Sequence, residues 1–239
     1  MNAKQQDIIS MFDNIAESYD LANRVMSCGA DITWRKKACH LAFKNLSKES
    51  LSNLTIADIA CGTGDMIIHW QKNAKLHSLQ IQKIIGLDPS EKMLEVAKKK
   101  LPEVDFIQCE ATLLPLEDSS CDILSIAYGI RNVIERQKAL KEFARICKKG
   151  GILVILEFTK CENPGLLEKI MGFYTKNILP FIGGAISRNY EAYKYLPDSI
   201  EEFLTAKKLC EELENEGFIP LYTKAFLANV CTLFVAKKQ

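Results

Sequence analysis

The chain has 239 residues, of which 48% are hydrophobic and 26% charged, with 31 Lys and Arg against 30 Asp and Glu. This length and composition suit one α/β domain with extensions, with enough apolar residues for a substantial core. The even charge balance argues against a nucleic-acid partner and against electrostatic attraction to an anionic membrane, so a small molecule is the expected partner.

Nine cysteines and three histidines are scattered along the chain, and no two cysteines stand at C-x-x-C spacing. We interpret the cysteines as reduced, small core residues, and we expect no metal site. The polar N-terminus does not resemble a signal peptide, and the longest apolar stretches fall far short of the roughly 20 residues that cross a bilayer. We therefore expect a cytoplasmic protein that at most lies against the inner face of the membrane.

Short apolar runs alternate with longer amphipathic stretches in the middle of the chain. The predicted strands are 54–60, 84–88, 104–109, 121–128 and 152–158. The predicted helices between them are 65–73, 91–100 and 135–148, with a turn at Gly150-Gly151 before the fifth strand. This alternation, with strands that are apolar throughout, predicts a parallel sheet covered by helices on both faces.

The C-terminal part departs from this alternation. Residues 218–226 and 229–236 are two strand-like runs joined by a tight connection, which is too short for a parallel crossover and predicts an antiparallel pair. Overall we predict a single domain, 1–239. Its predicted parts are an N-terminal helical extension 1–50, a cofactor-binding core 51–162, an apolar and aromatic lid 163–198, and a C-terminal helix and hairpin 199–239.

A glycine-containing loop follows the first predicted strand. Gly62 and Gly64, on either side of Thr63, lack a Cβ and allow the backbone to turn sharply close to a ligand. The helix after the loop presents its N-terminus to that ligand. The second strand ends at Asp88, 24 residues after Gly64, where a carboxylate can accept hydrogen bonds from both ribose hydroxyls. The loop, Thr63 and Asp88 therefore form the predicted nucleoside-binding site, and a tight turn with a surface acid is the alternative.

Charge distinguishes between two cofactors that such a loop can bind, the dinucleotide NAD and S-adenosylmethionine. A dinucleotide fingerprint has a third small residue where this chain has Ile67, and its pyrophosphate disfavours nearby anions. Here Asp58 and Asp65 flank the loop. Two carboxylates suit the sulfonium and amino groups of S-adenosylmethionine and repel a diphosphate, so we predict S-adenosylmethionine as the cofactor.

Three more residues at strand ends complete the predicted cofactor site. Glu110 and Ala111 follow the third strand, where Glu110 accepts a hydrogen bond from the adenine amine and Ala111 donates its backbone N–H. The alternative for Glu110 is a solvated loop acid. Ala127, near the end of the fourth strand, is expected to line the end of the site where the methyl group is transferred.

Further motifs are spread over nearly the whole chain: FDNIAESYD at 12–20, WRK at 34–36, YGIRNV at 128–133 with AL at 139–140 and GG at 150–151, LEF at 156–158 and YKYLPDSI at 193–200. With these motifs, nearly the whole chain resembles the ubiquinone/menaquinone-biosynthesis C-methyltransferases. The chain departs from the family pattern at Ala60-Cys61, Cys109-Glu110 and Lys148-Lys149, none of which lies in the Arg-Asn-Val element. The resemblance implies a Rossmann-like class I methyltransferase fold with a seven-stranded sheet, an antiparallel C-terminal strand and a helical lid.

The resemblance also implies methylation of a ring carbon of a prenylated quinol: demethylmenaquinol, and as a second acceptor a 2-polyprenyl-6-methoxy-1,4-benzoquinol. Its implied catalytic residues are Arg131, Asn132 and Tyr19. A quinol hydroxyl that titrates near ~10 costs about 4 kcal/mol to ionise at pH 7. A charge-assisted hydrogen bond from Arg131 offsets roughly 1.5–3 kcal/mol of this, with a water or a nearby Tyr accepting the proton. A structural Arg that satisfies strand-end carbonyls is the alternative.

The apolar residues of the lid allow two interpretations. Leu166-Leu167 and Ile170-Met171 suit contact with the membrane surface where prenylated quinols partition, and a core helix is the alternative. Two other functions stay open from the sequence: methylation of a different small molecule, and a regulator that binds S-adenosylmethionine without turnover. The oligomeric state is also open, with a homo-oligomer as one alternative.

Overall fold

The computed structural model describes residues 2–46 and 53–239. Its strands are β1 Leu54–Ile59, β2 Ile81–Asp88, β3 Asp105–Gln108, β4 Cys121–Ala127, β5 Cys147–Glu157, β6 Phe218–Phe226 and β7 Cys231–Lys238. Its α-helices are α1 Ala3–Ile15, α2 Tyr19–Met26, α3 Ala30–Asn45, α4 Asp65–Leu76, α5 Glu91–Lys100, α6 Arg136–Ile146, α7 Leu166–Phe173, α8 Leu179–Ser187, α9 Tyr190–Glu202 and α10 Ala206–Asn215. The predicted helical extension 1–50 is helical through α1 to α3, and its residues 1 and 47–50 lie outside the described residues.

All seven strands form one sheet in the order β3-β2-β1-β4-β5-β7-β6. Strands β1 to β5 pair in parallel, whereas β7 runs antiparallel to both of its neighbours, β5 and β6. The predicted seven-stranded sheet with an antiparallel C-terminal strand is therefore confirmed. The order reverses between β1 and β4, so the loops after these two strands diverge and leave a crevice, the usual ligand site of such sheets.

The predicted turn at Gly150-Gly151 is wrong, because β5 starts at Cys147 rather than at residue 152. The register against β4 shifts between Cys121 and Ile123, which marks a bulge. Gly150 adopts φ +79°, a conformation that side chains with a Cβ rarely take, so the glycine permits a bulge inside the strand and does not end it.

Helices cover both faces of the sheet with separate apolar cores. On one face, Trp34 and Phe43 of α3 and Trp70 of α4 pack against strand residues such as Ile56. The opposite core contains α6 and α10, with Phe143 fully buried. Five of the nine cysteines are buried, whereas Cys28 is exposed, so the prediction of core cysteines holds for the buried ones only.

A third apolar cluster joins the N-terminal helices to the predicted lid. Ile15 and Ala22 pack with Leu179 of α8 and Tyr193 of α9. Helix α9 continues through residue 198, the predicted limit of the lid, and ends at Glu202. No helix within the described ranges is long and apolar enough to cross a membrane.

The contact between α8 and α9 depends on a glycine. Gly183 is buried, and a Cβ added there would collide with the Tyr193 ring. We expect Gly183→Ala to lower the free energy of unfolding by about 1–3 kcal/mol, the usual consequence of overpacking. Gly172→Ala is the matched control, because an added Cβ meets nothing within 4 Å there. It should be neutral or stabilise by about 0.5–1 kcal/mol. Denaturant unfolding of both variants measures the difference, and equal effects would contradict the close α8–α9 contact.

Candidate active site

The glycine loop leaves β1 through a series of left-handed residues. Ala60, Gly62 and Gly64 have φ of 50°, 54° and 84°. The backbone N–H of Cys61 donates to the Leu87 carbonyl of β2, which holds the loop at the carboxyl edge of the sheet. Gly64 precedes α4 and lines none of the described cavities, so its role is to turn the chain into the helix.

Asp88 closes the loop from the neighbouring strand. Its Oδ2 accepts from the Gly62 N–H and its Oδ1 from the Ser90 N–H, both at 2.8 Å. Burial nevertheless raises the pKa of Asp88 to about 6, although these two N–H donors favour its ionised form. Asp88 thus holds the loop and also lines the cavity beside it, where further lone pairs remain for hydroxyl donors.

Asp58, near the end of β1, has one satisfied oxygen and one free oxygen. Its Oδ1 accepts from Ser125 Oγ at 2.6 Å, and Ser125 Oγ in turn accepts from Trp70 Nε1 at 2.9 Å. Oδ2 is buried and has no hydrogen-bond partner among the described residues. Burial raises the pKa of Asp58 to about 7, against the opposing effects of Ser125 and the Arg35 charge. A cationic donor at Oδ2 would stabilise the ionised carboxylate.

The other two predicted residues of the loop already have partners. The Asp65 carboxylate forms ion pairs with Arg24 and Lys100, both at 3.1 Å. Burial would raise the pKa of Asp65, but these and other cations lower it overall. Thr63 Oγ1 donates to Asp20 at 2.5 Å. Of the two predicted loop carboxylates, only Asp58 therefore has an oxygen free for a cation.

Two cavities lie on either side of the loop. The first, which we call the strand-end cavity, has a volume of about 80 Å³ and is lined by Gly62, Asp88, Glu110, Ala111, Ala127 and Asn132, among others. The second, the loop cavity, measures about 30 Å³ and is lined by Arg35, Asp58, Gly62, Thr63, Asp65 and Ala127, among others. Ten of the twelve predicted site residues thus line one or both of these adjoining cavities, and the exceptions are Gly64 and Arg131.

A third, larger cavity adjoins these two and is mostly apolar. This apolar cavity measures about 420 Å³, and its walls include Trp34, Met171, Leu179, Tyr193 and Leu196. Tyr19 lines all three cavities, and Tyr128 lines both the strand-end and the apolar cavities. Tyr128 leaves β4 with φ 61° and stacks on Phe158 with 4.9 Å between ring centroids. The prediction that β4 includes residue 128 is wrong, because this left-handed conformation ends the strand.

Arg131 lines the apolar cavity and is also an ion-pair partner. Its Nη1 contacts Glu157 Oε1 at 2.5 Å and donates to the Tyr128 carbonyl at 2.9 Å, while Nε donates to Ser199 Oγ at 3.3 Å. Nη2 has no hydrogen bond to any residue in the described ranges. Arg131 thus has the structural role that was the alternative, because it satisfies a carbonyl after β4, and its Nη2 remains available for a ligand.

Asn132 and Tyr19 both line the strand-end cavity. Asn132 donates from Nδ2 to the Tyr128 carbonyl at 3.3 Å and accepts at Oδ1 from the Tyr195 hydroxyl at 3.1 Å. Burial raises the pKa of Tyr19, although an Asn23 hydrogen bond and the Arg131 charge oppose it. Tyr19 therefore stays a neutral phenol near pH 7, which donates hydrogen bonds better than it accepts a proton.

Sequence reasoning gave no individual role to two charged residues of this site. Glu157 is fully buried and holds Arg131, and its position at the end of β5 is the same signal that identified Asp88 at the end of β2. Arg35 is 4% exposed, pairs with Asp31 at 2.5 Å, and lines both the loop and the apolar cavities. The spacing of Asp31 and Arg35 on a predicted helix is the signal that would have paired them.

The residues of the two smaller cavities fit S-adenosylmethionine. Asp88, Glu110 and Ala111 form one end, with polar groups suited to a ribose and an adenine. The unpartnered Asp58 Oδ2 lies at the other end and suits a cationic amine. Ala127 lines both cavities and leaves room between these ends.

Comparison with known proteins gives a family and relatives over the full chain. The sequence model of the ubiE/COQ5 methyltransferase family matches residues 1–238. The ubiquinone/menaquinone biosynthesis C-methyltransferase UbiE of Campylobacter jejuni is 56% identical over 235 residues, which cover 98% of this chain and 99% of that protein. The demethylmenaquinone methyltransferase of Thermotoga maritima is 38% identical, with 94% of this chain and 93% of that protein covered.

Solved structures share the fold at low sequence identity. A SAM-dependent methyltransferase of Thermotoga maritima, described as a possible histamine N-methyltransferase, has a TM-score of 0.58 at 21% identity and covers 97% of this chain and 100% of its own. The [4+2]-cyclase SpnF has a TM-score of 0.60 at 17% identity, with 85% of this chain and 80% of its own covered. Since a cyclase shares the fold, the fold alone does not determine the reaction.

Proposed function

The chain belongs to the ubiE/COQ5 methyltransferase family, and we propose that it is the S-adenosylmethionine-dependent C-methyltransferase that converts demethylmenaquinol to menaquinol. The identity to relatives named for this activity, over nearly their full length, supports the proposal. A 2-polyprenyl-6-methoxy-1,4-benzoquinol is a second acceptor to be tested, since the name of the Campylobacter relative includes ubiquinone biosynthesis.

The proposed donor site consists of the strand-end and loop cavities. S-adenosylmethionine, when bound, supplies an electrophilic methyl group. Asp88 would accept hydrogen bonds from the ribose hydroxyls, Glu110 from the adenine amine, and Asp58 Oδ2 from the α-amino group. Gly62 and Ala127 line both of these cavities and leave space between the adenosine end and the amino-acid end of the donor.

The proposed acceptor site is the apolar cavity. Arg131 would stabilise the ionised quinol oxygen through Nη2, because its other nitrogens already hold Glu157, Tyr128 and Ser199. Ionisation makes the ring carbon nucleophilic. That carbon then gains the methyl group as the sulfur–methyl bond breaks, and it loses its own proton to restore the aromatic ring. The protein's main contribution is the alignment of the ring carbon with the methyl donor.

Water is the proposed acceptor of both protons. Arg131 stays protonated, since its pKa exceeds ~12. Burial raises the pKa of Tyr195 and of Tyr19, so neither is an effective base near neutral pH. Tyr19, which lines all three cavities, would donate a hydrogen bond to the quinol oxygen instead. Asn132 lines the strand-end cavity, so it would act through the Tyr195 hydroxyl that it holds at 3.1 Å beside the apolar cavity.

The observation that carries the proposal is a guanidinium facing a large apolar cavity that shares the Tyr19 wall with the donor site. Incubation with methyl-labelled S-adenosylmethionine and each reduced quinol, followed by mass analysis, tests it. We expect the label on a ring carbon of demethylmenaquinol. Label transfer to neither quinol, with S-adenosylhomocysteine still bound in calorimetry, would favour another acceptor or a regulator.

We further propose that α7 and α8 rest on the membrane surface. Helix α7 buries no residue, so the alternative of a core helix is not supported. Its exposed apolar side chains, with those of α8, are Leu166, Leu167, Ile170, Phe173 and Phe181. Exposed Lys169, Lys176 and Arg188 lie in the same segment and suit anionic headgroups. Met171 of α7 lines the apolar cavity, which would bring a membrane-dissolved quinol close to its site.

Removing this apolar surface should weaken vesicle binding. We expect the double variant Leu166→Asn/Leu167→Asn to bind vesicles of phosphatidylethanolamine and phosphatidylglycerol at least about tenfold more weakly in co-sedimentation, since a fully buried Leu contributes about 1.5–3 kcal/mol. Leu76→Asn/Leu113→Asn is the matched control, because these leucines are 79% and 76% exposed and lie outside the lid. Equal loss in both variants, or no vesicle binding by the unmodified protein, would refute membrane contact through the lid.

A further inference from the structure

Two buried, unpartnered atoms of opposite charge belong to residues that line the loop cavity. Asp58 Oδ2 and Arg35 Nε both lack a hydrogen-bond partner among the described residues. Leaving either group unpaired away from water is unfavourable, because burial removes its hydration without replacing it. A ligand with an anionic and a cationic group attached to the same carbon would satisfy both.

The guanidinium of Arg35 is held so that one whole edge has no hydrogen-bond partner among the described residues. Its Nη1 donates to Asp31 at 2.5 Å, and its Cζ lies 5.2 Å from the centroid of the Tyr128 ring. Nε and Nη2 carry no hydrogen bond to a residue in ranges 2–46 and 53–239. The N–H bonds of these two nitrogens are parallel along one edge, which is the geometry that binds both oxygens of a carboxylate.

We propose that the Nε–Nη2 edge of Arg35 binds the carboxylate of the amino-acid end of S-adenosylmethionine, beside the ammonium group that Asp58 accepts. This inference rests on the assignment of the methyl donor. The two charges of an α-amino acid sit one carbon apart, so they need an acceptor and a bidentate donor on adjoining walls. Both residues line the loop cavity, where Asp58 supplies the acceptor and Arg35 the bidentate donor.

Arg35 also lines the apolar cavity, where a quinol oxygen is the competing ligand. A single oxygen would leave the second N–H of the edge less well satisfied, whereas a carboxylate satisfies both. Arg131 already presents a free nitrogen to the acceptor side. The carboxylate is therefore the better match for Arg35.

Calorimetry with two ligands tests the proposal without turnover. S-adenosylhomocysteine carries the carboxylate, and its decarboxylated analogue lacks only that group. We expect the unmodified protein to bind S-adenosylhomocysteine about 10- to 100-fold more tightly than the analogue, the effect of a charge-assisted contact. Arg35→Met should abolish this preference by weakening the binding of S-adenosylhomocysteine while leaving the binding of the decarboxylated analogue unchanged. Arg35→Lys, which keeps the ion pair with Asp31, should reduce the preference and serves if the Met variant does not fold.

Arg24→Lys is the matched control, because Arg24 shares Asp31 with Arg35 but lines none of the described cavities. It should keep the preference for the carboxylate. Arg35 variants that weaken both ligands equally would overturn the proposal and make Arg35 a structural support. An intact preference with a raised KM for quinol would also overturn it and assign Arg35 to the acceptor. If the unmodified protein binds neither ligand, the donor assignment itself fails.

Discussion

Arg131→Lys is expected to lower kcat for demethylmenaquinol about 10- to 100-fold, since one charge-assisted hydrogen bond contributes roughly 1.5–3 kcal/mol. Lys keeps a positive charge beside Glu157, which is fully buried. It therefore avoids the loss of about 3–5 kcal/mol of stability that follows when a buried charge loses its partner. What Lys cannot reproduce is a planar group that holds three protein oxygens and still offers Nη2 to the cavity.

The pH dependence of kcat separates this role from a structural one. Without the guanidinium, the pKa of the bound quinol hydroxyl rises, so the ascending limb of kcat against pH moves to higher pH. The deficit of Arg131→Lys should therefore shrink as the pH is raised. Ser199→Ala is the control, because Ser199 lines no described cavity and its loss removes the partner of Nε and a hydrogen bond to the Leu196 carbonyl, while Nη1 and Nη2 of Arg131 are left in place. It should change kcat by less than about threefold. A deficit that is constant from pH 6 to 9 would mean that Arg131 only supports the site.

The sheet could be predicted because its signals are local. Apolar runs alternate with amphipathic helices from β1 to β5, and a tight connection forces β6 and β7 to be antiparallel. Where the prediction failed, one residue had two possible roles. A glycine such as Gly150 can end an element or allow a bulge, and only the pairing with β4 decides which.

The site was predictable where the backbone itself required the residue. Gly62 and Asp88 follow from a loop that must turn at a strand end. The partners of the charged side chains did not follow, because they depend on how α2 and α5 pack over the loop. Asp65 meets Arg24 and Lys100, which are 41 and 35 residues away in the chain. Such contacts decide that Asp58 keeps a free oxygen and Asp65 does not.

Asp58→Asn is expected to stabilise the ligand-free protein at pH 8 while it weakens donor binding. Burial raises the pKa of Asp58 from 3.8 to about 7, so the folded state resists its ionisation. A group with a raised pKa in the folded state contributes stability that is fully present below its unfolded pKa and is lost as the pH rises through the folded value. The unmodified protein should therefore lose stability between about pH 4 and pH 7 through this residue.

Asn keeps an acceptor for Ser125 Oγ but cannot ionise. At 1.36 kcal/mol per pKa unit, the shift corresponds to at most about 4 kcal/mol. We therefore expect the free energy of unfolding at pH 8 to be about 2–4 kcal/mol higher for Asp58→Asn than for the unmodified protein. Urea unfolding from pH 4 to 8 should show that the free energy of unfolding depends less on pH in the variant than in the unmodified protein. Some pH dependence should remain, because burial also raises the pKa of Asp88, to about 6. Asp105→Asn is the control, since that side chain is 66% exposed and should change stability by less than about 0.5 kcal/mol.

The same substitution should reduce affinity for S-adenosylhomocysteine about 10- to 100-fold at pH 8, because the ammonium group loses an ionised acceptor. In the unmodified protein, affinity should rise with pH up to about 7, since the ligand needs Asp58 ionised and the neighbouring Arg35 charge assists that ionisation. In Asp58→Asn this rise should be much smaller. A variant that is both less stable and unchanged in affinity would show that the free Oδ2 is not a ligand contact. A protein that gains stability when it loses a binding group would instead show that this carboxylate is kept for the donor at the expense of the fold.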